Sequence, residues 1–414
     1  MHHKPDRGDT NRMTWDTKTP LEPSKTPQGL PQTSQDPTSD NKMNPEPQHR
    51  LSQFWLLLTR LLLESITAEP VVILGNTYRE GDRDREGDLE VQKQVKKRYW
   101  MSYRLGFEPI KKHEDGPLPL SFVQSMIFNK NVGNTFANIH SLVDNDNFTT
   151  DVGWGCMIRT SQSVLANAID RAGYEVDVEL FADTTAAAFS LHNFVKVASD
   201  LPLRVRPGQW FGPSAASLSI KRLCEARNSS TNVPISVVVC DSGDIYDDQV
   251  HTFPVLLLLP LRLGIDHVNE VYHSSLLQLL EVPQSAGIAG GKPSSSLYFF
   301  GYQGTSLLYL DPHYPQNVSA GAGSYHSTLY QRLDISDMDP SMMAGIVLTS
   351  LEDYADLKRR TTGNKIIHFH EARNYNDYVE VEKDEFIDLG HNDRSATADA
   401  DADFDSESSM VIVD

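Results

Sequence analysis

The stretch Asp151-Val152-Gly153-Trp154-Gly155-Cys156-Met157-Ile158-Arg159-Thr160-Ser161-Gln162 constrains this chain more than any other. Two glycines bracket a tryptophan, and a cysteine follows at once. From that cysteine, Met157, Ile158, Ser161, Val164, Leu165, Ala168 and Ile169 recur at helical spacing, and Gly173 offers a stop. The spacing predicts a helix with Cys156 in its first turn, an apolar face on the core, and a glycine-flexed loop presenting the thiol. Unpaired backbone N–H groups and the helix dipole at that end favour a thiolate. A free thiol titrates near ~8.5, and such sites lower it to roughly 3.5–7.5. The other reading, that Cys156 is a small buried hydrophobe, fits the stretch equally well.

The 414 residues suffice for one large domain or two medium ones, and 39% hydrophobic residues supply a core. A net charge of −19 argues against a nucleic-acid partner, which needs a basic face. The cysteines Cys156, Cys224 and Cys240 cannot build a disulfide scaffold, and an odd count fits a reducing compartment. The N-terminus carries no apolar run, so no leader is expected. The runs from Phe54 to Leu63 and from Val255 to Leu263 are too short to cross a membrane. The expected location is the cytoplasm.

Residues 1–50 are rich in Pro, Asp, Thr, Ser, Gln and Asn, a composition that does not order itself. Leu51 to Glu64 is expected to form a helix, Val71 to Gly75 a short buried strand, and 80–97 a solvated charged loop. Residues 111–150 read as an insertion with one apolar piece, Phe122 to Phe128. Helices are expected over Thr184 to Val197, Ala215 to Ala226 with Ser214 as cap, Val268 to Leu280, and Ser350 to Arg359. Ile235 to Cys240 reads as a central strand, and Phe253 to Arg262 and Gly345 to Leu348 as further strands. Two strands, Ser296 to Tyr302 and Ser306 to Asp311, flank Gln303-Gly304-Thr305 as a hairpin. Gly287-Ile288-Ala289-Gly290-Gly291-Lys292-Pro293 fails as a phosphate loop, because Pro293 stands where a Ser or Thr is needed. It reads as a mobile loop. The fold class is α+β.

A cysteine nucleophile needs a base, and the base needs an orienting group. His313 closes Tyr309-Leu310-Asp311-Pro312-His313 at the end of a hairpin strand. Residues two apart in an extended chain share a face, so Asp311 and His313 can serve one pocket. Taken alone, Asp-Pro-His reads more readily as a simple turn leaving a strand. His368, His370 and Glu371 make a poor metal set, and no metal or other cofactor is expected. In the acidic tail, Phe386 and Leu389 follow Asp384 and Glu385 in a form that can add as a strand to a partner's sheet edge.

Several of these pieces together resemble the autophagins, the autophagy-related cysteine peptidases, and the fungal members in particular. Asp151 to Arg159 is similar to their nucleophile segment and Tyr309 to His313 to their second catalytic segment. Gly208 to Pro213, Pro260 to Gly264 and Pro283 to Pro293 match in order. The resemblance implies a papain-like fold with a small additional subdomain over 51–370, flanked by a disordered 1–50 and an acidic disordered tail, 371–414. It implies cleavage of the C-terminal tail of a GABARAP-type ubiquitin-like modifier to expose a terminal glycine, and later release of that modifier from phosphatidylethanolamine. The implied triad is Cys156, His313 and Asp311. Tyr103, in Tyr103-Arg104-Leu105-Gly106-Phe107, takes an oxyanion role, and Trp210 with Gly287, Ile288, Ala289 and Gly290 forms a substrate gate. Phe386 and Leu389 hold the modifier at a second site. The implied partners are the modifier, as precursor and as lipid conjugate, and through it autophagic membranes. The pre-autophagosomal site and the nucleus join the cytoplasm as expected locations.

Overall fold

The computed structural model describes residues 69–79, 89–119, 146–200, 202–227 and 235–372. The expected helix at 51–64, the apolar piece 122–128, and Phe386 and Leu389 lie outside the described residues.

The first described elements are strands β1 (Val71–Ile73) and β2 (Asn76–Tyr78), then helix α1 (Glu90–Lys96). Part of the stretch read as a charged loop is therefore helical, because Val91 and Val95, four apart, both bury. Strands β3 (Arg104–Lys111) and β4 (Asn147–Thr150) follow, then α2 (Cys156–Arg171), α3 (Leu191–Ser199) and α4 (Pro213–Arg227). Lys111 pairs with Asn147, so the chain between them leaves and returns at neighbouring sheet positions. Then come β5 (Ser236–Val239), β6 (Asp244–Tyr246), β7 (Val255–Arg262), α5 (His273–Glu281), β8 (Ser285–Lys292), β9 (Ser295–Gln303) and β10 (Ser306–Leu310). The described chain closes with β11 (Gln316–Asn317), β12 (Gln331–Asp334), β13 (Ser341–Leu348), α6 (Leu351–Arg360) and β14 (His368–His370).

The main sheet runs β12-β10-β9-β8-β13-β7-β5, with β1 beside the second half of β9. Only β5 is parallel to its neighbour on that path. β5 is an edge strand, not the central one its β-branched run predicts, because α4 packs over it and supplies the burial. Both faces of the sheet are covered, and the side chains of β7 show it. Leu256 and Leu258 enter one core with α2, while Leu257, Leu259 and Leu261 enter the other with α5 and α6. A strand buried on both sides must be apolar throughout. Each fully buried leucine contributes about 1.5–3 kcal/mol over an exposed one. The architecture is α+β with a helix layer on each side, and a second sheet, β11-β3-β4, lies apart from the main one.

The Gly-rich stretch read as a mobile loop is strand β8, buried from Ser285 to Gly291. Its glycines mark close approach, not flexibility. At Gly287, with φ +92°, a Cβ would stand 2.6 Å from the Tyr298 ring, and at Gly290 one would meet Met338 and Met342. Gly287, Ile288, Ala289 and Gly290 therefore form no gate that lifts.

Candidate active site

Helix α2 crosses β8, β9 and β13 and is buried on every side from Cys156 to Ile169. Its polar positions are buried as well, which an amphipathic reading does not anticipate. All of them but Ser161, whose hydroxyl is unpaired among the described residues, have a fixed partner. Asn167 accepts from the Tyr99 N–H and donates to the Tyr99 carbonyl, Ser163 accepts from the Met101 N–H, and Gln162 donates to the Phe189 carbonyl. Unpaired, such groups cost about 1–3 kcal/mol each.

The turn before the helix is built on Asp151. Its carbonyl accepts from the N–H groups of Trp154 and Gly155. Its carboxylate accepts from the Arg104 N–H and the Arg159 Nε, both at 2.7 Å. Arg159 donates in turn to Asp183 at 2.9 Å, and all three side chains are buried. Burial alone would lower the Arg159 pKa, but the two carboxylates hold it above its ordinary value. The two glycines now have separate reasons. Gly153 has φ +89°, a left-handed backbone. A Cβ on Gly155 would stand 2.5 Å from the Asp151 carboxylate. The turn thus fixes where Cys156 begins the helix, and Asp151 ties that point to Arg104, the first residue of β3 and the neighbour of Tyr103.

His313 follows β10 in a turn rather than on an extended strand face. Asp311 Oδ1 accepts from the His313 backbone N–H at 2.9 Å and from its Nδ1 at 2.6 Å. The two sequence readings of Asp-Pro-His therefore coincide: the turn is what aims the imidazole. Trp100 Nε1 donates to the Asp311 carbonyl at 2.9 Å, and the Tyr103 N–H donates to the Pro312 carbonyl at 2.9 Å. The Tyr103 ring stands edge-on to the His313 ring, with centroids 5.2 Å apart.

His313 and Tyr103 both lie close enough to the Cys156 thiol to act on its protonation. Burial pushes the Cys156 thiol up, but the hydrogen bond and charge of His313, the Ser296 backbone and Tyr103 carry it below its usual value. Burial alone would lower the His313 pKa, and the hydrogen bonds and charges of Asp311 and Cys156 raise it to about 9. Both directions describe one pair, thiolate and imidazolium. Burial, and next the Cys156 charge, push Tyr103 well above the phenol range, so it stays a donor.

Next to this cluster runs a groove of about 1030 Å³, lined by Met157, Gly208, Trp210, Gly290, Ser295 and Ser296 among others. Ser295 Oγ is 3.5 Å from His313 Nε2. Trp210 is 46% exposed at the groove wall, whereas Cys156 is 2% exposed. Of the four β8 residues expected to gate the site, only Gly290 lines the groove.

The sequence reading missed Ser295, Ser296, Trp100 and the Asp151–Arg159–Asp183 network. A charged residue inside an apolar helical pattern, Arg159, was the available signal for the last. Among the described residues no three metal-type side chains gather to hold an ion, and no helix is long and apolar enough to cross a membrane.

A model of the peptidase C54 catalytic domain matches residues 89–360. This chain belongs to the peptidase C54 family. A probable cysteine protease ATG4 from Meyerozyma guilliermondii is 89% identical over 402 residues, covering 97% of this chain and 100% of the relative. Another from Debaryomyces hansenii is 52% identical over 330 residues, 72% of this chain and 66% of its own. A cysteine protease ATG4 from Candida albicans is 45% identical over 325 residues, 74% and 71% of the two chains. The family is that of the autophagins, and the chain is a fungal-type, autophagy-related cysteine peptidase with a papain-like fold.

Proposed function

We propose that this C54 peptidase cuts the C-terminal tail of a GABARAP-type ubiquitin-like modifier after a glycine, and that the same site releases the modifier from phosphatidylethanolamine. The observation that carries the reading is the chain of contacts from the Cys156 thiol to His313 and on to Asp311 at 2.6 Å. The Cys156 thiolate attacks the scissile carbonyl carbon. The oxyanion that forms accepts from the Cys156 backbone N–H and the Tyr103 hydroxyl. The His313 imidazolium gives its proton to the leaving nitrogen, and the C–N bond breaks. His313 then takes a proton from water, which hydrolyses the thioester and leaves a glycine carboxylate. Asp311 orients the imidazole throughout.

Both substrates present an amide nitrogen as leaving group, so one chemistry serves both. A thiol only 2% exposed, walled by Tyr103 and the β9 backbone, suits a residue with no side chain. Trp210, in the irregular segment before α4, is the gate in this reading and moves when substrate enters. Phe386 and Leu389 hold the modifier at a second site.

The test is cleavage of a tailed modifier and of a lipid-conjugated modifier in vesicles. Wild type is expected to cut both, and Cys156→Ala to lose about 10⁵-fold or more in kcat on both. Cleavage by Cys156→Ala at the wild-type rate would refute the reading.

A further inference from the structure

His313 stands between two concavities, and the reaction above uses one of them. Its Nε2 faces Ser295, which lines the large groove. Its Nδ1 faces Asp311, which lines a second cavity of about 400 Å³ together with Trp100, Tyr314 and Leu329. His326, Ser327 and Thr328 wall this cavity and also a neighbouring groove of about 670 Å³.

That groove is cationic. Lys93, Lys96, Lys97 and Arg98, at the end of α1, line it, and among its described lining residues Asp170 is the one acid. The three lysines are exposed. The helix dipole favours Lys93 and Lys96 in the last turn, but Lys97 and Arg98 lie past it. Four cations lining one groove run against a net charge of −19. Ser327 and Thr328 line the groove as well. His326 Nδ1 lies 3.1 Å from the Arg98 carbonyl and so donates to it.

Leu329, next in the chain after Ser327 and Thr328, lines the second cavity and holds an aliphatic side chain out in solvent. Ser327 Oγ accepts from the Leu329 N–H and donates to the Leu329 carbonyl, each at 3.0 Å. This small turn fixes Leu329, which is 79% exposed. Cations beside an outward aliphatic residue are the pairing that anchors proteins at lipid interfaces: headgroup phosphates meet the cations and the apolar side chain enters the acyl boundary.

A bilayer must lie near the protein for the reaction proposed above to act on a lipid conjugate. On that reading, one leaving group is the amine of a phospholipid still in its bilayer. We propose that the face formed by Lys96, Lys97, Arg98 and Leu329 seats an anionic phospholipid bilayer beside the site. The inference rests on the lipid-release reading for its biological role, though not for its binding test.

The test is sedimentation of the full chain with phosphatidylcholine–phosphatidylethanolamine vesicles, with and without phosphatidylserine. Binding is expected only with phosphatidylserine and is expected to weaken as salt rises. Each cation removed costs about fivefold in affinity, so Lys96→Gln with Lys97→Gln is expected to lose about 25-fold. Leu329→Ser is expected to lose less, and all variants to cut a soluble tailed modifier like wild type. Phosphatidylserine-independent binding, or wild-type binding by the double variant, would overturn the proposal. So would displacement by inositol hexakisphosphate at matched ionic strength, which would assign the groove to a soluble phosphate. The two ideas fail separately. Vesicle binding through this face without modifier release sinks the lipid-release reading, and release without such binding sinks the docking face.

Discussion

Three thiols in this chain are buried without disulfides, and they titrate in opposite directions. Cys224, on α4, and Cys240, after β5, are pushed up to about 12 by burial, with nearby carboxylates adding to it. Cys156 is buried as deeply, yet it lies below its usual value. Burial therefore does not distinguish them. The donors do: His313, Ser296 and Tyr103 surround one sulfur, and acidic neighbours face the other two. The lesson is that a cysteine becomes reactive through what points at it, and those groups come from segments far away in sequence.

That contrast can be broken by removing the donors one at a time. Asp311→Asn should cost most, about 10⁴-fold in kcat, because the amide accepts poorly from Nδ1 and releases the ring from its orientation. Peptide hydrolysis by the purified variant measures it. Tyr103→Phe should cost about 10²–10³-fold in kcat with KM little changed, as loss of one oxyanion donor does. A change confined to KM would give Tyr103 a binding role instead. At the small end, Cys224→Ala removes a thiol that nothing activates. It should leave kcat unchanged and cost about 1 kcal/mol in a denaturant titration. An active-site-like loss of turnover from Cys224→Ala would end the contrast.

Much of this was legible in the sequence, for identifiable reasons. The α2 helix announced itself through its 3.6-residue apolar period, and the β9–β10 hairpin through Gln303-Gly304-Thr305 between aromatic and aliphatic runs. Asp311 and His313 were legible as a pair because they are two apart. The geometry that joins them was not, since Asp311 Oδ1 bonds both the backbone and the ring of His313 in a turn. Strand β8 was misread because glycine counts locally as a breaker. Only the facing Tyr298, Met338 and Met342 explain why nothing larger fits. The buried polar residues of α2 were illegible for the same reason. The partners of Arg159, Ser163 and Asn167 sit on separate segments, and no local pattern encodes them.

The pH dependence of the pair follows from the two shifts. His313 is raised from 6.5 to about 9, so its contribution is complete below the unfolded value and is lost as pH rises through about 9. Cys156 is lowered, so its thiolate persists down to the folded value and is lost below it. Peptidase activity should therefore fall on the alkaline side near pH 9 and on the acid side as Cys156 takes up a proton.

The most direct measurement is the alkylation rate of each cysteine by iodoacetamide across pH, read by mass spectrometry on the folded protein. Cys156 is expected to react with a midpoint below that of an ordinary thiol, and His313→Gln to move that midpoint up. Cys224 and Cys240 are expected to stay unreacted until far higher pH. A Cys156 midpoint at or above an ordinary thiol's, unmoved by His313→Gln, would contradict the account.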